Sequence, residues 1–202
     1  TPAIIAQLVN VLYNIVDRIF IGRLPEGDLA MAGIGVAFPI IMLISATSAL
    51  IGMGGAPLAA IKMGEQDHDG AEKIMSNALS MLVILSILLM MSLLIFKEPL
   101  LLAFGASSQT LVYANDYLGI YILGTLFVQI AIGMNPFINT QGFAKIGMMT
   151  VMVGAVVNII LDPIFIFGLN LGVKGAAFAT ITAQFISAIW VIRFLFGKKS
   201  TL

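Results

Sequence analysis

The chain has 202 residues, of which 60% are hydrophobic and 10% are charged. A soluble domain carries about 25% charged residues, so this composition excludes an ordinary soluble domain. Ten basic and ten acidic residues give a formal net charge of zero, which excludes a strongly basic nucleic-acid-binding protein. The lack of cysteine excludes disulfides, zinc–thiolate centres and iron–sulfur clusters, and the single histidine, His68, cannot form a multi-histidine metal site. The composition therefore indicates an integral membrane protein.

Six hydrophobic runs are each long enough to cross a bilayer, which takes about 20 apolar residues in a helix. The runs are continuous, whereas the strands of a membrane barrel alternate apolar and polar residues over about ten positions, so the sequence predicts an all-α membrane protein. The predicted spans are residues 2–22, 29–61, 74–96, 111–134, 146–168 and 175–196. We expect them to form a single six-helix transmembrane lobe over residues 1–202.

The second run, residues 29–61, is longer than a straight span requires. It contains Pro39, Pro57 and three glycines within positions 52–55. Prolines and clustered glycines are frequent sites of helix kinks, so we expect this helix to be kinked or to extend beyond the membrane.

Basic residues in the loops predict the orientation of the lobe. One side carries Lys62, Lys73, Lys145, Lys198 and Lys199, with Arg193 nearby. The other side carries Arg23, Lys97 and Lys174, with Arg18 nearby. Because cytoplasmic loops carry an excess of Lys and Arg, this modest bias places both termini in the cytoplasm. We expect a multi-pass protein of the inner (plasma) membrane.

Polar residues inside the first run form a stripe. Gln7, Asn10, Asn14 and Asp17 are spaced by three, four and three residues, which places them on one face of a helix. An Asp at the centre of a span costs roughly 2.5–3.5 kcal/mol on insertion scales. A polar stripe in lipid would leave its groups without partners, so this face must meet other helices or a water-filled cavity.

The fifth and sixth runs repeat this pattern. Asn158 and Asp162 are four residues apart, and Pro163 follows directly. Proline lacks an N–H and clashes with the preceding turn, so it should bend the helix and free a carbonyl near Asp162. In the sixth run Thr180 and Gln184 are again four residues apart and share a face.

The predicted depths of these polar residues agree. Asp17, Asp162 and Thr180 lie five, six and five residues from the outer ends of their runs, roughly 8–9 Å inside the boundary, and Asn158 lies about 6 Å deeper. Carboxylate, amide and hydroxyl oxygens suit a hard cation such as Na⁺, or a proton shared between the two carboxylates. The sequence therefore predicts a cation-binding site of Asp17, Asn158, Asp162 and Thr180, with Na⁺ or H⁺ as the bound ion and no other cofactor.

A structural interpretation of the same residues is equally open from spacing alone. Arg18 would form an ion pair with Asp162, and the polar stripes would be hydrogen bonds between helices. Intramembrane carboxylates usually mark functional sites, but ion pairing within a bundle is also common.

A substrate cavity would have its own candidate residues. Asn10 and Asn14 belong to the stripe of the first run, and Gln184 belongs to the stripe of the sixth. Tyr121 is the innermost of three tyrosines spaced by four residues in the fourth run, with Tyr113 and Tyr117 nearer the membrane surface, where tyrosine is enriched. We expect Asn10, Asn14, Gln184 and Tyr121 to line the cavity.

Several segments together are distinctive. Residues 158–163 read Asn-x₃-Asp-Pro, and residues 175–180 read Gly-Ala-Ala-x-Ala-Thr. Further segments lie at residues 16–22, 52–56 and 141–145. With these segments, nearly the whole chain resembles the N-terminal half of a bacterial transporter of the MATE (multidrug and toxic compound extrusion) family.

The resemblance implies one lobe of a two-lobe, twelve-helix transporter. Members of the family exchange Na⁺ or H⁺ for organic cations and other amphipathic drugs, and sodium-site members bind the ion through residues that correspond to Asp17, Asn158, Asp162 and Thr180. The chain would then be a cation-coupled antiporter lobe that works by alternating access, and not an enzyme. Its partners would be membrane lipid, a drug-like substrate, and either the missing C-terminal lobe or a second copy.

Two other functions stay open. A lipid-linked saccharide flippase of a related family would carry more cationic residues in its central cavity, for which Arg18 is the sole candidate here. An intramembrane enzyme would need a compact catalytic set, and the single histidine in a chain without cysteine makes this function a poor match.

Overall fold

A computed structural model describes residues 2–197 and residue 200. This part of the chain contains seven α-helices, one π-helical turn and no strand, as the all-α prediction requires. The helices are α1 (Pro2–Gly22), α2 (Gly27–Gly64), α3 (His68–Ala103), α4 (Thr110–Leu123), α5 (Thr125–Thr140), α6 (Ala144–Pro163) and α7 (Val173–Leu195), with the π-helical turn at Ile164–Gly168 between the last two.

Five of these segments are each long and apolar enough to cross a membrane, and the pair α4 and α5 makes a sixth. The predicted continuous span at residues 111–134 is wrong, because α4 and α5 are inclined to each other by 61°. The break falls at Gly124, where ψ is 0° and the backbone leaves the helical path. A side chain at this position would overlap Ile181 of α7, so only glycine allows this close approach.

Helices α2 and α3 extend beyond their predicted bounds of 29–61 and 74–96. They contain 38 and 36 residues, and at 1.5 Å per residue each is more than 50 Å long, against a hydrocarbon core of about 30 Å. The predicted bounds are too short because hydropathy marks only the apolar part of each helix. Backbone hydrogen bonding continues the helix through the polar residues at its ends. Lys97, predicted in a loop, therefore lies inside α3.

The turn between α2 and α3 is closed by Asp67. Its carboxylate accepts a hydrogen bond of 2.9 Å from the Gly70 N–H and lies 3.3 Å from the Lys62 ammonium. Both partners favour the ionised carboxylate, so they hold the pKa of Asp67 below its usual range. This N-cap fixes the point at which α3 begins.

Basic loop residues are separated between the two ends of the bundle. Arg23 lies in the turn after α1 and Lys174 in the first turn of α7, whereas Lys62 and Lys145 lie at the opposite end. Lys198 and Lys199, which the orientation prediction also uses, lie outside the described residues. Which end faces the cytoplasm stays a prediction.

Polar and small residues join α2 to α5. The completely buried Gln129 accepts a hydrogen bond of 2.8 Å from the Ser48 hydroxyl and donates one of 2.9 Å to the Thr47 hydroxyl. One turn further along both helices, Gly52 lies directly on the backbone of Gly133. In lipid the hydrophobic effect does not drive helices together, because the surrounding acyl chains are as apolar as the helix surfaces. Close backbone packing and buried hydrogen bonds stabilise the helix pair instead.

The α2–α5 contact predicts that Gly52→Ala destabilises the protein by about 1–3 kcal/mol, because the new methyl group overlaps the Gly133 carbonyl oxygen. Gly54→Ala is the matched control, since a methyl group there enters open space on the same helix. Thermal unfolding of the two purified variants in detergent measures the difference. Equal unfolding temperatures would contradict the contact.

Candidate functional site

The structure brings the four residues of the predicted cation site together. The Asn158 side-chain amide donates to the Asp162 carboxylate at 3.3 Å and lies 3.4 Å from the Thr180 hydroxyl. The Asp17 carboxyl group, from α1, lies close enough to the Asp162 carboxyl group for the two to interact. Asp162 is 0% exposed and Asn158 is 2% exposed. Residues of α1, α6 and α7 therefore meet in one buried cluster.

Tyr117 of α4 is an addition to the predicted set. Its side chain lies near Asp17 and Thr180, and its ring stacks on Tyr121 with the centroids 6.1 Å apart. A signal for it exists in the sequence. Counted from Thr110, where α4 begins, Tyr117 lies about 10 Å along the helix, close to the depth predicted for Asp17.

The end of α6 explains the position of Asp162. Pro163, the last residue of this helix, has no N–H to donate, and the chain continues as the π-helical turn Ile164–Gly168. Such turns occur frequently at functional sites. Asp162 therefore lies where the chain passes from the α-helix into the π-helical turn.

Three acceptor oxygens in the cluster are buried and have no hydrogen-bond partner: Oδ1 of Asp17, Oδ2 of Asp162 and Oδ1 of Asn158. Buried polar atoms in native proteins nearly always have a partner, because leaving one unpaired costs about 1–3 kcal/mol. Oxygens of this kind are the ligands that hard cations prefer, and one proton can also join two carboxylates. The donor set thus fits Na⁺ or H⁺.

Arg18 does not form the ion pair with Asp162 that the structural interpretation requires. Its side chain is exposed and borders a surface pocket between α1 and α2, beside Asp28 and Met31. Among the residues that the structure describes, no ion pair involves Arg18. In the described part of the chain, neither Asp17 nor Asp162 therefore forms an ion pair with a basic side chain.

A cavity of about 300 Å³ adjoins the cluster, and Asn158 and Thr180 contribute to its wall. The cavity continues along α5 to Asn139, which precedes the last residue of that helix, so it extends toward the end that carries Lys62 and Lys145. Its other polar lining residues are Asn10, Tyr13, Asn135, Thr150, Gln184 and Ser187. Neutral amides, hydroxyls and one aromatic ring thus surround a space next to two carboxylates.

Two of the four predicted cavity residues, Asn10 and Gln184, line this cavity, and the other two do not. Asn14 is exposed, and its side-chain amide is directed back along α1, where it donates to the Asn10 carbonyl oxygen at 2.7 Å. Tyr121 is 5% exposed and is buried in the core against Tyr117.

Comparison with known proteins identifies the family. The sequence model of the MatE family matches residues 2–164, so the chain belongs to the MatE family. The multidrug export protein MepA of Staphylococcus haemolyticus (strain JCSC1435) is 32% identical over 201 residues, which is 100% of this chain and 44% of that protein. MepA of Staphylococcus aureus (strain N315) is 28% identical over 98% of this chain and 44% of that protein.

Solved structures give the same result. A MATE protein in a bent conformation matches with a TM-score of 0.92 at 28% identity, over 100% of this chain and 45% of its own. An outward-facing multidrug resistance MATE family transporter of the MOP superfamily matches with a TM-score of 0.92 at 30% identity, over 100% of this chain and 44% of its own. The predicted family and all-α transmembrane fold are confirmed, and the chain spans less than half the length of these relatives.

The contact between Asn158 and Thr180 predicts that Thr180→Val destabilises the protein by about 1–3 kcal/mol, because the Asn158 amide loses an acceptor in the interior of the bundle. Thr182→Val is the control, since that hydroxyl donates to the Phe178 carbonyl oxygen of its own helix at 2.7 Å. Thermal unfolding in detergent compares the two. A loss of similar size in both variants would contradict the prediction.

Proposed function

We propose that the chain is a cation-coupled lobe of a multidrug efflux transporter, which exchanges Na⁺ or H⁺ for organic cations by alternating access. The observation that carries this proposal is the meeting of Asp17 and Asp162 in a buried cluster whose acceptor oxygens lack partners. The relatives' name, multidrug export protein, supports drug export as the activity.

Electrostatics explains why such a cluster would bind a cation. Two carboxylates that share a low-dielectric site repel each other, and each has lost most of its hydration. A sodium ion or a proton removes one negative charge and supplies the missing partner. Cation binding would therefore offset the unfavourable free energy of placing Asp17 and Asp162 in this site.

The shared residues provide a physical basis for exchange. Asn158 and Thr180 belong both to the cation cluster and to the wall of the adjoining cavity. The carboxylates attract a positively charged drug toward this cavity, and a bound Na⁺ or H⁺ weakens that attraction. Each ligand therefore lowers the affinity for the other, which is the differential binding that exchange requires.

The alternative functions find less support. The family and its named relatives are transporters and not enzymes. A saccharide flippase would need cationic residues in the cavity, whereas no Lys or Arg lines it among the described residues, and Arg18 borders a different pocket.

We further propose that a second six-helix lobe, or a second copy of this one, forms the other wall of the transport path. The chain covers about 44% of its relatives, whose remaining length is available for such a lobe. Membrane lipid surrounds the assembly in the inner (plasma) membrane, with both termini of the chain in the cytoplasm.

Transport by proteoliposomes tests the proposal. Efflux of ethidium, a fluorescent organic cation, should follow an imposed gradient of Na⁺ or H⁺. Asp17→Asn and Asp162→Asn should each reduce this gradient-driven efflux by about tenfold or more, the effect of losing ~1.4 kcal/mol of cation binding.

Asp116→Asn is the control for these variants. Asp116 lies 3.4 Å from the Lys174 ammonium near the outer end of α4, outside the cation cluster, and its neutralisation should leave ethidium efflux intact. Efflux that persists unchanged after both ion gradients are collapsed, or in both cluster variants, would refute the coupling.

A further inference from the structure

Lys97 of α3 is a partly buried cation without an ionic partner. Its ammonium group lies against α4, where a Cβ atom added to Gly119 would be 3.1 Å from the Lys97 Nζ. None of the ion pairs in the described part of the chain involves Lys97. Glu98 is the next residue, rotated by about 100° around the helix, and Asp116 of α4 lies 3.4 Å from the Lys174 ammonium. Because partial burial weakens the hydration of a charge, the Lys97 ammonium favours an anion from outside the lobe.

The surface of α3 that leads up to Lys97 is suited to lipid. The apolar span of this helix has a mean hydropathy of 2.8, and 17% of it is buried within the lobe. Over residues 81–96 every exposed side chain is apolar except Ser92, whose hydroxyl donates to the Leu88 carbonyl oxygen of its own helix at 2.7 Å. Such a surface is more favourable against acyl chains than against water. Lys97 follows it directly, so its flexible side chain can place the ammonium group at the level of the lipid phosphates.

Two exposed leucines lie on the membrane side of the Lys97 ammonium group. Leu94 precedes Lys97 by three residues on α3, and this spacing places the two on one face of the helix. Leu123 follows Gly119 by four residues on α4, which packs against α3. Leu94 is 37% exposed and Leu123 is 56% exposed. Lys97, Gly119, Leu94 and Leu123 together define the α3–α4 groove, which has a positive charge toward its outer end and apolar side chains deeper in the membrane.

We propose that the α3–α4 groove binds an anionic phospholipid, with the phosphodiester at the Lys97 ammonium and the acyl chains along Leu94 and Leu123. Gly119 has no side chain, so the ammonium group and the headgroup share the space beside α4. Basic pockets between membrane helices recognise anionic headgroups in this way. A zwitterionic phospholipid has the same phosphate, but its own cationic group compensates that charge, so it gains less from Lys97. None of the groove residues belongs to the cation cluster, so lipid binding is independent of the proposed coupling.

Native mass spectrometry of the purified protein measures which lipids it retains. Phosphatidylglycerol and phosphatidylcholine with the same acyl chains are offered in equal amounts, and the unmodified protein should retain more phosphatidylglycerol. Lys97→Gln should lower the ratio of the two retained lipids by about fivefold, which corresponds to ~1 kcal/mol for one basic residue at an anionic lipid surface. Lys97→Arg should keep the ratio, because arginine also binds phosphate. Soluble glycerol phosphate should not displace the lipid, because it has no acyl chains to contact the two leucines.

Two further variants separate a specific groove from attraction by net charge. Lys145→Gln removes the same charge from an exposed position at the opposite end of the lobe, so it should keep the lipid ratio of the unmodified protein. Gly119→Leu keeps every charge but places a side chain where the Lys97 ammonium lies, so it should lower the ratio as Lys97→Gln does. Because the lysine side chain is flexible and can move aside, we expect Gly119→Leu to fold, and thermal unfolding in detergent checks this.

An unchanged lipid ratio in Lys97→Gln, or in a folded Gly119→Leu variant, would overturn the proposal. An equal fall in Lys145→Gln would show attraction by charge alone, and displacement by glycerol phosphate would show a simple anion site; either result would also overturn lipid binding in the groove. If Gly119→Leu does not fold, the comparison of Lys97→Gln with Lys145→Gln still decides. Ethidium efflux tests the coupling separately, so a failure of transport and a failure of lipid binding are distinguishable.

Discussion

Two carboxylates that share a buried site inside a membrane protein are the constraint on which this structure depends. Asp162 is completely buried and Asp17 lies beside it, with no Arg or Lys paired to either among the described residues. In a low-dielectric interior the two charges repel, and each has given up hydration. Among the described residues, Asn158 alone donates a hydrogen bond to Asp162, and one carboxylate oxygen of each Asp stays buried without a partner.

The helices that carry the two carboxylates differ in how firmly they are packed. In α1, which carries Asp17, 6% of the span is buried within the lobe, against 28% for the span of α6 that carries Asp162. Helix α1 therefore has fewer contacts to lose if it shifts. By contrast, the Gln129 hydrogen bonds and the Gly52–Gly133 contact tie α5 tightly to α2. The Asp17–Asp162 pair thus joins α1, the less buried helix, to α6, the more buried one.

Much of this arrangement follows from arithmetic on the sequence. The bilayer sets the length of a span, so hydropathy alone locates the six crossings. A rise of 1.5 Å per residue then places Asp17, Asp162 and Thr180 at one depth, and the spacing of Asn158 and Asp162 puts them on one face. The rise per residue gives the depth of a side chain in the membrane, and the helical period gives the face on which it lies. These two quantities select the four residues that the structure brings together.

The remaining features depend on which helices are neighbours and how they are rotated, and the periodicity of one helix contains no such information. The 61° bend falls at Gly124, where Ile181 of α7 leaves no room for a side chain. Tyr117 lies beside the Asp17–Asp162 cluster, and Tyr121 lies in the core against Tyr117 instead of lining the cavity, because α4 packs against α2 and α7. The sequence by itself determined the family and the all-α membrane class of the protein, and it selected the four polar residues that the structure brings together. Only tertiary packing decided the shape of the cavity and the contacts that reach the site, because those depend on distances between segments far apart in the chain.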